Sequence, residues 1–273
     1  MSSPFSPPLS ADEISSLFPE FTTINIIKSG GEGTVVKVTY TCGDSTALKI
    51  YGPTHLKART ELEAKKLKCI DSPYLVKLYK NNSVTIRGLD CYYTETSFVE
   101  GKDLKTLLDI GYKFTERDVI NLLKCISLAI DSLWEQRVVH CDIKPENIIK
   151  RGDDYILIDL GIAKYLDENT MTQAGMIMGT YGYIAPEHLN GRKNLTQKAD
   201  YYALGITAFE ILANYHPYNN NQFAMFNNPV PDLPDNIEIS LNVKNLIRKM
   251  MNLVPYLRPS TYKQIINELQ EAR

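Results

Sequence analysis

Apolar residues recur along this chain with two periods, and the change of period divides it. Between Thr22 and Tyr51 the pattern is that of strands. Ile24, Ile26 and Ile27 lead into Ser29-Gly30-Gly31-Glu32-Gly33, and Thr34-Val35-Val36-Lys37-Val38-Thr39-Tyr40 then alternates and is rich in β-branched residues. Gly43-Asp44 marks a turn, and Thr46–Tyr51 reads as a third strand. Lys57–Ile70 has no Gly or Pro and many Leu, Glu and Lys, so it reads as a helix that Pro73 stops. Tyr74–Leu78 and Asp90–Val99 complete an expected five-stranded sheet with one helix.

After Gly101 the period becomes helical. Asp103–Asp109 predicts a short helix and Glu116–Gln136 a long one, with Val119, Leu122, Leu123, Ile126, Ala129, Ile130, Leu133 and Trp134 on one wide apolar stripe. Asn147–Ile149 and Tyr155–Ile158 flank Gly152-Asp153-Asp154 as a small hairpin. Asp200–Ala213 is apolar nearly all round and predicts a buried helix, and Leu241–Asn252 and Ser260–Glu271 predict closing helices. Asn219–Pro234 is rich in Asn and Pro and reads mainly as loop. Strands first and helices afterwards make the fold class α+β.

Composition narrows the classes. With 273 residues, 44% hydrophobic and 23% charged, the chain can bury a substantial core. A net charge of −2 provides no general field for nucleic acid, and no apolar run reaches the roughly 18 residues of a membrane helix. Neither nucleic-acid binding nor membrane insertion is expected. Cys42, Cys69, Cys91, Cys125 and Cys141 are odd in number and lack CxxC spacing, which favours a reducing cytoplasmic setting over a disulfide framework or a zinc site. The first residues lack a basic region and a long apolar run, so a signal peptide is not indicated. Pro4, Pro7 and Pro8 make residues 1–21 an expected flexible N-terminal arm.

The chemistry concentrates in Val139-His140-Cys141-Asp142-Ile143-Lys144-Pro145-Glu146-Asn147, with Ile158-Asp159-Leu160-Gly161 following. A packed core gains nothing from an Asp, a Lys and an Asn at this spacing. Metal-assisted phosphoryl transfer does, because it needs a carboxylate base, a cation and oxygen ligands for Mg²⁺. The glycines of residues 29–33 lie between strands. A dinucleotide fingerprint or Walker A loop would open a helix instead.

Taken in order, these segments resemble a eukaryotic-type serine/threonine protein kinase domain. The resemblance implies a bilobal fold with a small β-rich N-lobe (residues 22–96), a hinge (97–101) and a larger helical C-lobe (102–273). Lys28-Ser29-Gly30-Gly31-Glu32-Gly33-Thr34-Val35 matches the family's Gly-rich loop, with Lys28 where the first glycine would stand. By this resemblance Gly30, Gly31 and Gly33 approach the ATP phosphates and Val35 covers the adenine. Ala47 caps the adenine and Lys49 pairs with phosphates, itself held by Glu63, or failing that Glu61. Thr96 takes the gatekeeper position, Ser97 and Val99 offer backbone groups to adenine, Asp103 binds the ribose and Ile149 forms the floor. Asp103 also suits the start of the short helix as a cap.

The same resemblance makes Asp142 the catalytic base, Lys144 the neutraliser of phosphoryl charge, and Asn147 and Asp159 the Mg²⁺ ligands. Gly179-Thr180-Tyr181-Gly182-Tyr183-Ile184-Ala185-Pro186-Glu187 matches the family's acceptor segment, where Thr180 shapes the Ser/Thr site near Asp142 and Lys144. Glu187 should pair with Arg258, and Asp200 should anchor the backbone around His140. His140, Leu160, Leu67 and Leu78 match an apolar spine, which gives His140 a structural role. The implied cofactors are ATP and Mg²⁺, and the implied partners are proteins with Ser/Thr acceptors, the chain itself being one candidate. Oligomeric state leaves no trace in the pattern.

Cys141 replaces the arginine that often precedes the catalytic Asp and binds a loop phosphate. A thiol cannot make such charge-assisted bonds, so activity should not strictly require phosphorylation of Thr170 or Thr172, for which Lys164 is one available partner. The run Thr170-Met171-Thr172-Gln173 with Gly179-Thr180 also resembles bacterial kinases of this type. Two alternatives stay open: a nucleotide-binding scaffold without turnover, and a kinase for small molecules.

Overall fold

Five antiparallel strands build the first sheet: β1 (Phe21–Gly30), β2 (Gly33–Tyr40), β3 (Ser45–Tyr51), β4 (Leu78–Ile86) and β5 (Leu89–Ser97), in the order β1-β2-β3-β5-β4. The computed structural model describes residues 3–53, 64, 67–160, 164–165, 179–189 and 195–270, the pair 164–165 by backbone alone. Two compact units emerge, Met1–Asp71 with Val76–Val99 and Ser72–Leu75 with Glu100–Arg273.

In the first unit, alternation sorts the sheet's two faces. Val36, Val38, Leu48 and Ile50 are buried on one face. Of residues 1–21, expected as a flexible arm, the described stretch 3–21 covers that face instead. Helix α1 (Ala11–Leu17) is capped by Ser10, whose hydroxyl accepts the Glu13 N–H, and Phe5, Leu9, Ile14, Phe18 and Phe21 join the same core. The prolines fall before the helix, where they do not interrupt it, and apolar burial outweighs the local flexibility of the segment. Arg87, on the β4–β5 turn, fastens the cover by donating to both Glu13 carboxylate oxygens (2.8 and 2.9 Å) and to the Pro7 carbonyl (2.6 Å).

The fourth strand also departs from expectation. Of Tyr74–Leu78 only Leu78 enters it. Leu75 bridges to Leu157 and the Tyr74 carbonyl accepts the Leu157 N–H within the second unit, while β4 runs through the polar stretch Tyr79–Ser83. Pairing with β5 through the Arg87-Gly88 turn overrides the weak strand propensity of Asn81 and Asn82. Of the expected helix Lys57–Ile70, Ala64 and Leu67 are described, helical and buried.

The second unit is helical around a small sheet of β6 (Lys102–Asp103), β8 (Ile148–Arg151) and β9 (Asp154–Leu157), ordered β6-β8-β9. A backbone pair joins β7 (Val138–Val139) to β10 (Lys164–Tyr165). Its helices are α2 (Leu104–Asp109), α3 (Glu116–Glu135), α4 (Pro186–Leu189), α5 (Lys198–Ala213), α6 (Gln222–Asn227), α7 (Leu241–Met250) and α8 (Tyr262–Gln270). The expected stripe of α3 is buried at Val119, Leu122, Leu123, Ile126, Ala129, Ile130 and Leu133, and α5 is buried almost throughout. Within the stretch read mainly as loop, α6 forms, started by the Asn221 side chain accepting the Ala224 N–H. Asn214, Asn219 and Asn220 have φ of 60°, 50° and 56°, a left-handed conformation that Asn tolerates better than most residues. Among the described residues no helix is long and apolar enough to cross a membrane.

Candidate active site

In the second unit Asp142 stands at the centre of a buried polar cluster. Thr180 Oγ1 donates to Asp142 Oδ1 at 2.6 Å, and Lys144 Nζ donates to Thr180 Oγ1 at 2.5 Å. Lys144 Nζ also lies 2.9 Å from Asp142 Oδ2. Asn147 Nδ2 donates to the same oxygen and to the Asp142 backbone carbonyl, both at 2.8 Å. The three residues that the sequence singles out at this spacing, Asp142, Lys144 and Asn147, therefore meet on one carboxylate, and Thr180 joins them from a distant stretch. The local cause is a 3₁₀ turn over Pro145–Asn147, which carries Asn147 back toward Asp142.

The backbone beneath the cluster is held from α5. Asp200 accepts the N–H groups of His140 (2.8 Å) and Cys141 (2.9 Å), as expected. Burial pushes the Asp200 carboxyl up to about 7 against the opposing pull of those two bonds. Cys141 and Asp159 are non-glycine residues at φ 68° and 63°, strained positions, and the Asp200 bond to the Cys141 N–H sustains the first of them. Gly179, at φ 120°, packs so tightly on the loop that an added Cβ would lie 2.7 Å from the Cys141 carbonyl oxygen. His140 is fully buried, its Nε2 has no hydrogen-bond partner among the described residues, and burial lowers its pKa. A neutral imidazole enclosed in this way fits the structural role expected of it.

Glu187 and Arg258 form the expected buried pair, bidentate at 2.7 and 3.0 Å. Arg258 also donates to the carbonyls of Asn252 (2.6 Å) and Lys198 (2.9 Å) and stacks 4.6 Å from the Tyr202 ring centroid, so its guanidinium is well satisfied. The small sheet pairs Asp103 with Ile149, and Asp103 caps α2 by accepting the Thr106 N–H (2.8 Å) and hydroxyl (2.7 Å). An added Cβ on Gly101 (φ 145°) would lie 2.4 Å from the Lys150 carbonyl oxygen.

In the first unit, register aligns the expected nucleotide residues. Val35 pairs with Lys49, Lys49 with Thr94 and Ala47 with Thr96, which puts these half-buried side chains on the face opposite the N-terminal cover. Gly31-Glu32 makes the turn between β1 and β2. Gly33 is required by the sheet itself, since an added Cβ would lie 2.1 Å from the Ile50 carbonyl oxygen, whereas Gly30 has open space. Ser97 ends β5 and is tied to Lys77 by its N–H (2.9 Å) and its hydroxyl (3.0 Å), and Val99 is buried. Lys49 Nζ meets Glu32 at 3.0 Å. Glu63 and Glu61 lie outside the described residues.

The donor set also bears on a metal. Asn147 and Asp159 offer an amide oxygen and a carboxylate, hard donors that suit Mg²⁺. Both hydrogen bonds of the Asn147 amide use Nδ2, which leaves Oδ1 for such a role. Among the described residues, no group of three or more His, Cys, Asp or Glu could hold a metal alone. These residues fit an ion that takes its remaining ligands from phosphate and water.

The model of the protein kinase domain matches residues 21–269, nearly the whole chain. The chain belongs to the protein kinase domain family. Among its relatives, serine/threonine-protein kinase PknD of Mycobacterium tuberculosis is 29% identical over 213 residues, covering 76% of this chain and 31% of that protein. Serine/threonine-protein kinase PrkC of Bacillus subtilis is 28% identical over 221 residues, 78% of this chain and 33% of its own length. The cAMP-dependent protein kinase catalytic subunit of Dictyostelium discoideum is 30% identical over 254 residues, 90% and 37%. The chain thus spans about a third of the length of these curated relatives.

Several residues of this kinase domain escape sequence reasoning. Glu32 is one, because a turn glutamate carries no pattern. Glu95 is another: it is 2% exposed and accepts from Tyr40 Oη (2.6 Å) and Thr46 Oγ1 (2.7 Å), a buried link visible only once register pairs the strands. Gln222 and His216 hold the backbone just beyond Thr180. Asn221 as a helix cap was the one local signal for that region.

Proposed function

We propose that this domain is a serine/threonine protein kinase that transfers the ATP γ-phosphate to protein Ser or Thr hydroxyls. The observation that carries the reading is the Asp142–Thr180–Lys144–Asn147 cluster, whose parts come from distant stretches of sequence and meet on one carboxylate. Asp142 accepts the proton of the acceptor hydroxyl as its oxygen bonds to the γ-phosphorus and the bond to the ADP oxygen breaks. Lys144 offsets negative charge on the group in transit, from a preorganised position. Thr180 bridges base and cation and contributes to the acceptor site.

Asn147 and Asp159 would hold Mg²⁺, which supplies charge neutralisation at the phosphates. Lys49 would bind phosphate oxygens, and its contact with Glu32 would then exchange for them. In the first unit Gly30 and Gly31 would approach the nucleotide phosphates and Val35, Ala47, Thr96, Ser97 and Val99 the adenine; in the second unit Asp103 would bind ribose and Ile149 adenine. All five cysteines are free thiols, which supports a cytoplasmic setting.

The domain works, in this reading, without strict dependence on a phosphorylated activation segment. The support is Cys141, whose side chain carries no cation and whose Sγ lies 3.5 Å from the Val139 carbonyl oxygen. Thr170 and Thr172 lie outside the described residues.

Incubation with Mg-ATP should label Ser and Thr of a generic protein, and a panel of small alcohols should stay unlabelled. Asp159→Asn should abolish labelling. ATP binding without turnover by the wild type would overturn the reading in favour of a scaffold. Thr170→Ala/Thr172→Ala protein should keep most activity; negligible activity beside a phosphorylated wild type would contradict the phosphorylation-independent reading.

A further inference from the structure

The backbone that follows Thr180 is gripped from a region whose sequence looks like featureless Asn-rich loop. Gln222 Oε1 accepts the Gly182 N–H at 2.8 Å, and Gln222 Nε2 donates to the Ile184 carbonyl at 3.0 Å. One side chain thus closes a two-bond bridge across Gly182–Ile184. His216 adds a third bond. Its Nδ1 accepts the N–H groups of Tyr218 (3.1 Å) and Asn220 (2.9 Å), so the ring proton sits on Nε2 and is donated to the Gly182 carbonyl at 2.9 Å. Between them lies Tyr183, whose hydroxyl donates to Glu210.

The fit is tight. Gly182 has φ 96°, and an added Cβ would lie 2.8 Å from Asn220 Oδ1 and 3.1 Å from His216 Nε2. The three left-handed asparagines at 214, 219 and 220 turn the chain so that His216 and Gln222 face one segment. These bonds saturate both backbone groups of Gly182, two residues from the hydroxyl that bridges Asp142 and Lys144.

We propose that Gln222, assisted by His216, is a positioning residue for the acceptor side of the reaction. It acts through Thr180 and touches neither nucleotide nor reacting atoms. The inference rests on the protein kinase reading and names what sets the acceptor loop within it. Asp142 keeps Asn147 and Lys144 when the loop loosens, so handling of ATP alone persists while transfer to a peptide suffers.

The test compares wild type with Gln222→Met, which keeps the side-chain volume and removes both bonds, and with Gln222→Asn, which keeps the amide one methylene short. Each is assayed with Mg-ATP and a synthetic peptide pool containing one fixed Ser, and separately for ATP hydrolysis without peptide. Loss of two ordinary hydrogen bonds should lower kcat/KM for peptide by about tenfold in Gln222→Met, with a smaller loss in Gln222→Asn. KM for ATP and the rate of peptide-free hydrolysis should hold. Unchanged kcat/KM for peptide would overturn the proposal, as would a parallel fall of both activities with a lowered melting temperature. The wild-type arm tests the kinase reading and the ratio of variant to wild type tests the clamp, so the two fail separately.

Discussion

The two units hold their candidate residues by different means. In the sheet unit, Val35, Ala47, Lys49 and Thr96 share a face because strands alternate and the backbone ladder sets their register. In the helical unit, Asp142, Lys144, Asn147 and Thr180 meet because buried side chains seize backbone groups: Asp200 holds residues 140 and 141, and Arg258 ties Glu187 to the carbonyls of Asn252 and Leu253 and to that of Lys198. The first arrangement is carried by repeated main-chain bonds that no single side chain controls. The second depends on a few polar groups, each costly to leave unpaired. Single substitutions that leave the main chain intact should therefore shift site geometry more in the helical unit than in the sheet.

The largest expected stability effect follows from that dependence. Arg258→Ala strands the Glu187 carboxylate, and denaturant unfolding should show a loss of about 3–5 kcal/mol. A loss below about 1 kcal/mol would break the comparison, since the pair would then behave like a surface bridge. In the sheet unit the vulnerable point is its apolar cover. Ile14→Ala should cost about 2–5 kcal/mol in the same assay. If residues 1–21 were the arm that their prolines suggest, this substitution would change nothing.

Asp200 sharpens the contrast through pH. Its folded pKa of about 7 lies above the usual carboxylate value, so the folded state holds a proton that the unfolded chain releases. The resulting stability is fully present below about pH 4 and is lost as pH rises through about 7. Asp200→Asn should remove that component. Its unfolding free energy, measured against wild type across this range, should therefore fall less as pH rises. The smallest effect belongs to the sheet. Tyr40→Phe deletes one of two hydrogen bonds to Glu95 and should cost about 1 kcal/mol.

Legibility in the sequence follows the same division. The alternating strands and the long stripe of α3 were readable because a local period encodes them. So was the Asp142–Asn147 spacing, which a 3₁₀ turn converts directly into contact. Residues 3–21 were misread because composition reports local flexibility, while their fate was set by a distant sheet face that needed covering. The fourth strand was misplaced because pairing across the Arg87-Gly88 turn outweighs the low propensity of Asn81 and Asn82. Asn-rich sequence concealed the grip on Gly182 for a similar reason. Left-handed asparagines look like loop, and only the folded chain shows that they aim His216 and Gln222 at one segment.

The central claim is that Asp142 serves as base for phosphoryl transfer to Ser or Thr. The most direct measurement is phosphosite mapping of an acceptor protein after timed reaction with Mg-ATP, comparing wild type with Asp142→Asn at matched melting temperature. The account predicts phosphate on Ser and Thr with wild type, and a rate lower by about a thousandfold with Asp142→Asn. Equal rates for the two proteins, or phosphate confined to Tyr, would contradict it.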